Sequence, residues 1–339
     1  MLYIMLKNRM LKFTLLGSLI LLVACGQKTK NAGIENIEHE ESFKITAGDI
    51  NLQKDLLYDE YTLEDVYTFT NENSKDTIRR SFQWDKIKEY IAYVENYKEK
   101  DIKWAVLQNY KNENGKPPAP KDASVEHKKI VDTLGIKQNQ SIPLYDHTDL
   151  SKPARYAYDG SLTKYVRDSG EYVNIKTIYQ KGDWLVPKEY VKVLSDSSTF
   201  EKLIVIDRTN QNICTLEKMG DKWLIRSMNP ATTGLDSPPH KEATPLGIFD
   251  LQEKKSRFFF YKDGTTEIGG FAPHASRFTG GAYVHGVPVN NPDSKTLKEF
   301  SPTLGTTPLS HMCVRTATSH AKFIYDWAKV DNTYIVVIE

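Results

Sequence analysis

The sequence has few residues of the kinds that hold metal ions or build disulfide frameworks. It contains three cysteines in 339 residues, Cys25, Cys214 and Cys313, and no Cys-x-x-Cys or His-x-x-x-His spacing. It also lacks a basic tract or stripe, and its 45 basic residues are balanced by 44 acidic ones. Zinc sites and nucleic-acid surfaces normally carry those signals. We therefore expect no metal, no cofactor and no nucleic-acid partner.

The apolar run near the N-terminus is too short to cross a membrane. It covers Phe13–Ala24, which is 12 residues, whereas a transmembrane helix needs about 20. A basic segment precedes it, as in a signal peptide. The following LVACG, residues 22–26, resembles the lipobox of bacterial lipoproteins, in which the cysteine takes a diacylglycerol and becomes the mature N-terminus. The basic residues are Lys7, Arg9 and Lys12.

This resemblance implies a lipoprotein signal peptide over residues 1–24, followed by a lipid anchor at Cys25 and a tether over 25–45. The mature chain would carry 42 basic and 44 acidic residues. We expect it in the cell envelope, bound to the membrane and facing the periplasm or cell wall. Gly26 after the cysteine resembles outer-membrane sorting if the bacterium has two membranes. A plain signal peptide is the alternative.

Residues 46–125 are predicted to form a helical region with a linker. Trp84, Ile87, Ile91 and Val94 recur at spacings of three and four, which is typical of an amphipathic helix. A second helix is predicted over Asp101–Tyr110. The segment NENGKPPAPKDAS (112–124) contains Asn-Gly and three prolines, which indicates a turn and linker. This region would pack on the next domains, bind a partner or lift them from the membrane.

Residues 126–198 are predicted to form a small β domain. Runs such as QSIPLYDHTD and GDWLVPKEYVKVL are short, rich in β-branched and aromatic residues, and separated by glycine turns. The opening PLY and the closing GDW…YV segment resemble bacterial SH3-like barrels. Trp184 and the tyrosines would either line a groove for peptide or glycan, or fill the core of the barrel.

Residues 199–339 alternate strands and turns and carry three motifs in order: TPLGIF (244–249), HG (285–286) and SHMCVR (310–315). Together they resemble the L,D-transpeptidase catalytic-domain family, over about residues 200–339. The chain as a whole is thus expected to be a multidomain α+β protein, with a helical N-terminal region, an SH3-like barrel and a mainly β catalytic domain.

Cys313 is the candidate nucleophile. A free cysteine has a pKa of about 8.5 and is mostly protonated at neutral pH, so it needs a nearby imidazole to take its proton. His285 and His311 are the candidates. The resemblance implies that His285 is the general base, that the backbone carbonyl of Gly286 orients its ring, and that His311 lines the site and stabilises the oxyanion.

The same resemblance implies further roles. The Met312 and Cys313 amides would donate to the oxyanion, and Arg315 would bind a substrate carboxylate. Ser310 would orient His311 or the cysteine loop, and Tyr283 would border the acyl pocket. The alternatives are a surface ion pair for Arg315, a turn cap for Ser310 and a core position for Tyr283.

One residue departs from the family pattern. The family usually has glycine immediately before the cysteine, and this chain has Met312. If the position needs a positive φ, a methionine there costs about 1 kcal/mol or more. The substitution leaves the amide donor in place but puts the shape of the pocket in doubt.

The resemblance implies a peptidoglycan L,D-transpeptidase, acting as a monomer on donor and acceptor stem peptides. A hydrolase using the same cysteine is one alternative. A catalytically inactive, lipid-anchored peptidoglycan-binding module is another. Two further alternatives concern the cysteine: a Cys214–Cys313 disulfide, or a zinc ion on His311, Cys313 and His320. Cys214 is otherwise predicted to be a core residue in a strand.

Overall fold

The structure is a computed structural model that describes residues 44–70, 76–98, 102–180, 182–238 and 240–339. The predicted signal peptide, Cys25 and most of the tether lie outside these residues. Those described form two α-helices, α1 (Trp84–Lys98) and α2 (Thr318–Trp327). Short 3-10 helices lie at Ala47–Asp49, Tyr110–Asn112 and Lys188–Tyr190. The strands are β1 (Asn51–Lys54), β2 (Val66–Thr70), β3 (Thr77–Ser81), β4 (Lys103–Leu107), β5 (Ser124–Glu126), β6 (Lys129–Val131), β7 (Ser141–Leu144), β8 (Arg155–Tyr158), β9 (Leu162–Ser169), β10 (Tyr172–Thr177), β11 (Gly182–Pro187), β12 (Val191–Val193), β13 (Lys202–Asp207), β14 (Asn212–Met219), β15 (Lys222–Pro230), β16 (Gly247–Asp250), β17 (Glu253–Tyr261), β18 (Ile268–Thr279), β19 (Ala282–His285), β20 (Val314–Arg315) and β21 (Thr333–Ile338).

A six-stranded sheet in the order β1-β15-β14-β13-β21-β16 forms the centre of the C-terminal part. Side chains alternate along β13: Leu203 and Val205 belong to one hydrophobic cluster, and Ile204 and Ile206 to the cluster on the other face. Both faces of the sheet are therefore covered. This explains why β13 and β21 are nearly continuous apolar runs, as buried strands usually are.

Helix α1 covers one face of this sheet. Ile87, Ile91 and Val94 are buried in the same cluster as Leu203 and Val205, so the spacing that predicted this helix is confirmed. β1 also adds to the sheet by pairing in parallel with β15. Of the three roles considered for the N-terminal region, the structure supports packing against the catalytic domain.

Elsewhere in this region, the prediction of helix is wrong. Val66–Thr70 and Thr77–Ser81 are the antiparallel strands β2 and β3, and the predicted helix over Asp101–Tyr110 contains strand β4 instead. Trp104 to Leu107 are four consecutive buried residues in β4. β4 is enclosed between β9 and β12. Pairing with these distant strands buries both faces of the segment and outweighs its local helical pattern.

The middle part of the chain is β-rich, as predicted. A five-stranded sheet has the order β11-β10-β9-β4-β12, and β7 pairs with β8 beside it. We call these strands the middle β unit. Trp184 lies in its buried cluster with Ile142 and Val186, so this indole packs in the core. That the unit is an SH3-like barrel stays a prediction, and β4 joins it from before the predicted boundary at residue 126.

The other face of the central sheet carries the elements of the site. A four-stranded sheet in the order β17-β18-β19-β20 packs there with α2. Val284 of β19, Val314 of β20 and Ile324 of α2 share the cluster that contains Ile204 and Ile206. Neither α-helix in the described ranges is long and apolar enough to span a bilayer.

We predict that burial of His320 makes the fold sensitive to acid. Its ring is fully buried on α2, with Nδ1 2.8 Å from Thr316 Oγ1 and Nε2 2.9 Å from Ser227 Oγ. Burial lowers the pKa of this imidazole to about 3 from its ordinary 6.5. Between these values only the unfolded chain binds the proton, so the stabilisation is complete above pH 6.5 and is lost as the pH falls.

At pH 5.5 the loss from this residue is about 1.4 kcal/mol. His320→Gln should therefore reduce the fall in unfolding free energy between pH 7.5 and 5.5 by that amount, measured by urea titration at each pH. His240→Gln, at an exposed histidine, should leave the fall unchanged. An equal fall in His320→Gln and the wild type would contradict the prediction.

Candidate active site

A cavity of about 560 Å³ opens beside the four-stranded sheet and contains most of the predicted site residues. Its walls carry a mixture of aromatic and polar side chains, including Phe258, Phe260, Phe300 and Lys298. The predicted site residues that line it are His285, Ser310, His311, Cys313 and Arg315.

Strand pairing brings the predicted nucleophile and the predicted base to one face of the sheet. β19 and β20 are parallel, with Val284 opposite Val314 and His285 opposite Arg315. Side chains alternate along a strand, so residues two apart share a face. Cys313 therefore lies on the same face as Arg315 and His285, although it is 28 positions from the histidine in the chain.

The His285 ring is held in one tautomer. It is 4% exposed, and its Nδ1 lies 2.6 Å from the carbonyl oxygen of Gly286. Because a carbonyl only accepts, Nδ1 carries the proton and Nε2 keeps a lone pair. Residue 286 must be small, since a Cβ there would lie 2.7 Å from Thr318 Oγ1. The arrangement leaves Nε2 able to take a proton.

The Cys313 thiol is partly exposed and unbridged, and its Sγ lies 3.5 Å from the carbonyl oxygen of Gly281. Burial of the sulfur raises the pKa of the thiol to about 11, although a backbone hydrogen bond from Tyr283 and the charge of Arg315 oppose this. Burial also lowers the pKa of His285 to about 4. The resting pair is therefore a neutral thiol and a neutral imidazole.

The chain reaches the nucleophile through a strained residue. Met312 has a φ of +114°, in the region that favours glycine, so this position does need a positive φ. Its carbonyl accepts a hydrogen bond from Thr244 Oγ1 at 2.8 Å, and that hydroxyl accepts one from the Gly234 amide at 2.8 Å. A Cβ on Gly234 would lie 2.8 Å from Met312 Cα. Close backbone packing thus holds Met312 in place.

Ser310 holds the same loop from inside. It is 1% exposed, and its hydroxyl donates to the carbonyl of Cys313. Its backbone amide donates to the carbonyl of Thr233 at 3.1 Å. The Ser310 hydroxyl thus contacts the backbone of the cysteine loop and not the His311 ring.

Arg315 presents an unpaired donor to the site. Its Nε is buried and has no hydrogen-bond partner among the described residues. Its backbone is anchored by reciprocal bonds of 2.9 Å with Thr232. Burial lowers the pKa of the guanidinium. An anion in the cavity would supply the missing acceptor.

His311 lines the cavity but is engaged elsewhere. Its Nε2 lies 2.9 and 3.1 Å from the two carboxylate oxygens of Asp263, just beyond the end of β17. This hydrogen bond lowers the pKa of Asp263. The structure therefore shows the His311 side chain as a bridge between the cysteine loop and the β17–β18 hairpin.

Of the two positions considered for the Tyr283 side chain, the structure supports the core position. The residue is fully buried, and its ring stacks on Phe258 with centroids 4.3 Å apart. Its hydroxyl lies 3.2 Å from Glu253 Oε2 and 3.3 Å from the hydroxyl of Tyr110. The ring does not line the cavity because Phe258, which does line it, stacks on the ring. Only the Tyr283 backbone reaches Cys313.

The cysteine alternatives are resolved. Cys214 and Cys313 are both free, and Cys214 is 1% exposed in the cluster under α1. His320 bonds to Ser227 and Thr316, away from His311. Within the part of the chain that the structure describes, no group of three His, Cys, Asp or Glu residues could hold a metal ion.

Sequence reasoning missed three residues that shape the site: Thr244, which binds the Met312 carbonyl, Gly281, which accepts from the thiol, and Asp263. The Gly280–Gly281 pair is a turn signal that could have located Gly281 from the sequence. Thr244 begins the TPLGIF motif, but the motif alone does not indicate that its hydroxyl binds Met312. No local signal connects Asp263 to His311.

Residues 201–338 match the family model for the L,D-transpeptidase catalytic domain. The match coincides closely with the domain predicted over 199–339. The C-terminal part of the chain is therefore an L,D-transpeptidase-type catalytic domain, built mainly of β-strands.

Three solved structures are similar to parts of the chain. A fused zinc-dependent amidase/peptidase/peptidoglycan-binding domain-containing protein from Clostridium acetobutylicum is 22% identical, with a TM-score of 0.29, over 40% of this chain and 51% of its own. An L,D-transpeptidase from Mycobacterium smegmatis is 20% identical, with a TM-score of 0.32, over 46% and 73%. L,D-transpeptidase 3 from Mycobacterium tuberculosis, solved with a faropenem-derived adduct, is 17% identical, with a TM-score of 0.31, over 47% and 75%. The chain thus spans about half the length of the clostridial protein. No curated protein matches it.

We predict that Met312 costs stability through its backbone. Met312→Gly removes the steric cost of the positive φ, whereas Met312→Ala retains that cost and removes almost the same side chain. The glycine variant should therefore be more stable than the alanine variant by about 1 kcal/mol. Urea unfolding of the two variants measures the difference. Equal stability, or a more stable alanine variant, would show that the loop relaxes without strain.

Proposed function

We propose that the protein is a peptidoglycan L,D-transpeptidase that works through a cysteine acyl-enzyme. The observation that carries the proposal is the placement of Cys313 and His285 on one face of a cavity, with Gly286 holding the tautomer that accepts a proton. The family match over residues 201–338 supports the same class of enzyme.

In the first half-reaction, Cys313 Sγ attacks the carbonyl that joins an L-centred diamino acid to the terminal D-alanine of a tetrapeptide stem. The thiol proton passes to Nε2 of His285 as the bond forms. His285 then gives this proton to the leaving amine as the C–N bond breaks. D-Alanine departs, and the stem remains on the enzyme as a thioester.

In the second half-reaction, a side-chain amine of another stem attacks the thioester. Its proton passes through His285 to the departing sulfur, and an amide links the third residues of the two stems. The bond broken supplies the energy for the bond formed, so the reaction consumes no ATP. With water as the acceptor, the same steps give a hydrolase.

The oxyanion would be held by backbone donors. Among the described residues, the amides of Met312 and Cys313 donate no hydrogen bond. Free amides beside the nucleophile are the groups that stabilise a tetrahedral intermediate. Because these donors belong to the backbone, the change from glycine to Met312 preserves them.

Arg315 would bind the donor's terminal carboxylate. The side chain lines the cavity that contains Cys313, and its buried Nε lacks a partner within the described ranges. A guanidinium and a carboxylate form parallel, charge-assisted hydrogen bonds. This contact would place the bond before D-alanine at the thiol.

The proposal includes the cell envelope as the working location. The LVACG segment supports a lipid anchor at Cys25, and the middle β unit would contact the wall. We propose a monomer whose partners are the donor and acceptor stems. Mass spectrometry of the mature N-terminus tests the anchor: an unmodified Cys25 would rule it out.

We predict that the full chain in mild detergent converts a purified disaccharide tetrapeptide into a dimer that has lost one D-alanine. Mass spectrometry of the products measures the reaction. Cys313→Ala should abolish it, because the thioester cannot form. Cys214→Ala is the matched control, since this thiol is buried away from the cavity, and it should keep the activity.

The products also separate the alternatives. A monomer that lacks D-alanine would show a hydrolase. Absence of any product from the wild type would overturn the proposed enzyme and favour an inactive wall-binding module.

We predict that Arg315 acts on the donor carboxylate. Arg315→Met should raise the donor KM about 10-fold or more, which corresponds to one lost charge-assisted contact. A donor that ends in D-alaninamide has no carboxylate and should bind the wild type and the variant equally. Steady-state kinetics with both donors measures this. An equal loss with the amide donor would assign Arg315 a structural role.

A further inference from the structure

We propose that Asp159, in the middle β unit, is a positioning residue that holds the Gly280–Gly281 turn against the Cys313 thiol. The proposal deepens the proposed function and rests on Cys313 as the nucleophile. It means that a residue outside the matched domain helps to build the catalytic centre.

The carboxylate of Asp159 is completely enclosed and well provided with donors. Its side chain has no exposed surface, and its Oδ1 accepts from the Asn109 amide at 2.8 Å. Its Oδ2 accepts from Arg277 at 2.7 Å, from the Gly280 amide at 2.9 Å and from Gln252 at 3.1 Å. Three of these four donors belong to the catalytic domain.

One of these contacts leads directly to the nucleophile. Gly280 and Gly281 form the turn between β18 and β19, and the carbonyl of Gly281 accepts the Cys313 thiol at 3.5 Å. Glycines allow a tight turn, but they do not make it rigid. The bond from the Gly280 amide to Asp159 therefore restrains the carbonyl that orients the sulfur.

A second contact of Asp159 supports the strands on either side of this turn, β18 and β19. Arg277, whose side chain pairs with Asp159, lies opposite Tyr283 in the β18–β19 ladder. The Tyr283 backbone supplies the other hydrogen bond to Cys313. The ring of Tyr110 covers the guanidinium at 4.2 Å. Asp159 thus binds the Gly280 amide, next to the Gly281 carbonyl that contacts the sulfur. It also binds Arg277, which lies opposite Tyr283.

Asp159 is itself held firmly against the catalytic domain. Gly160, the next residue, has a φ of +81°, and a Cβ there would lie 1.9 Å from the carbonyl oxygen of Phe278. Its carbonyl accepts a hydrogen bond from the Asp250 amide at 2.9 Å. Only glycine allows this close approach to Phe278. The Asp-Gly turn therefore fixes the position of the Asp159 carboxylate against the catalytic domain.

The test compares Asp159→Ala with a matched variant, Asp132→Ala, in the full chain. Asp132 is also a buried aspartate, 4% exposed, and lies between β6 and β7. It accepts from the amides of Leu134, Ile136 and Tyr156, which are all outside the catalytic domain. A purely structural effect should therefore appear in both variants.

The first readout needs no peptidoglycan. Iodoacetamide labelling of Cys313 is followed by mass spectrometry between pH 7 and 12, a range that includes the thiol pKa of about 11. The Gly281 carbonyl accepts from the thiol and so favours its protonated form. We expect Asp159→Ala to lower the midpoint of labelling by about half a pH unit or more, a shift that corresponds to less than one lost hydrogen bond, and Asp132→Ala to leave it unchanged.

The second readout is single-turnover release of D-alanine from the tetrapeptide donor. We expect it to slow at least about 10-fold in Asp159→Ala, as for a misplaced nucleophile, and less than about twofold in Asp132→Ala. If Asp159→Ala does not fold, Asp159→Asn keeps the shape without the charge and should shift both readouts in the same direction.

The proposal is overturned if the labelling midpoint of the Asp159 variant equals that of the wild type, or if Asp132→Ala shifts it equally. If the wild type is labelled but releases no D-alanine, the proposed function fails separately. The labelling midpoint then decides the role of Asp159 by itself.

Discussion

The parallel pairing of β19 with β20 is the constraint on which the site depends. It places His285 opposite Arg315 and puts Cys313 on their face of the sheet. Parallel neighbours cannot be joined by a tight turn and need a long connection. Here the connection is the segment 286–313, and its residues, among them Pro288 and Phe300, form part of the cavity wall. One topological requirement thus supplies both the proposed catalytic pair and the cavity beside it.

Burial determines how that pair works. It raises the pKa of the Cys313 thiol to about 11 and lowers that of His285 to about 4, so neither group is charged at rest. A neutral pair avoids the cost of desolvating two ions. In the proposed reaction, the proton would move as Cys313 attacks the substrate carbonyl, while the Met312 and Cys313 amides hold the developing charge. Burial by the surrounding protein therefore favours an attack in which the proton moves as the bond forms.

The described residues before position 201 do not form modules independent of the C-terminal domain. β1 extends the catalytic sheet, α1 covers one of its faces, and β4 completes the sheet of the middle β unit. Asp159 then enters the catalytic domain beside Arg277 as a buried ion pair. A buried charge is tolerated only when its donors are all in place. The orientation of the middle β unit is therefore coupled to the geometry around the nucleophile.

Local patterns were sufficient for the amphipathic helix around Ile87 and Ile91, the β character of the middle unit, the catalytic domain and the residues of its motifs. Helical spacing and turn glycines predicted the first two features. The ordered TPLGIF, HG and SHMCVR motifs predicted the last two through their resemblance to a known family. Other features needed the folded molecule: β4 as a strand, Tyr283 in the core, His311 on Asp263, and the carboxylate of Asp159 on the Gly280 amide. Each of these depends on a partner distant in the chain, and only tertiary packing decides which partner is present.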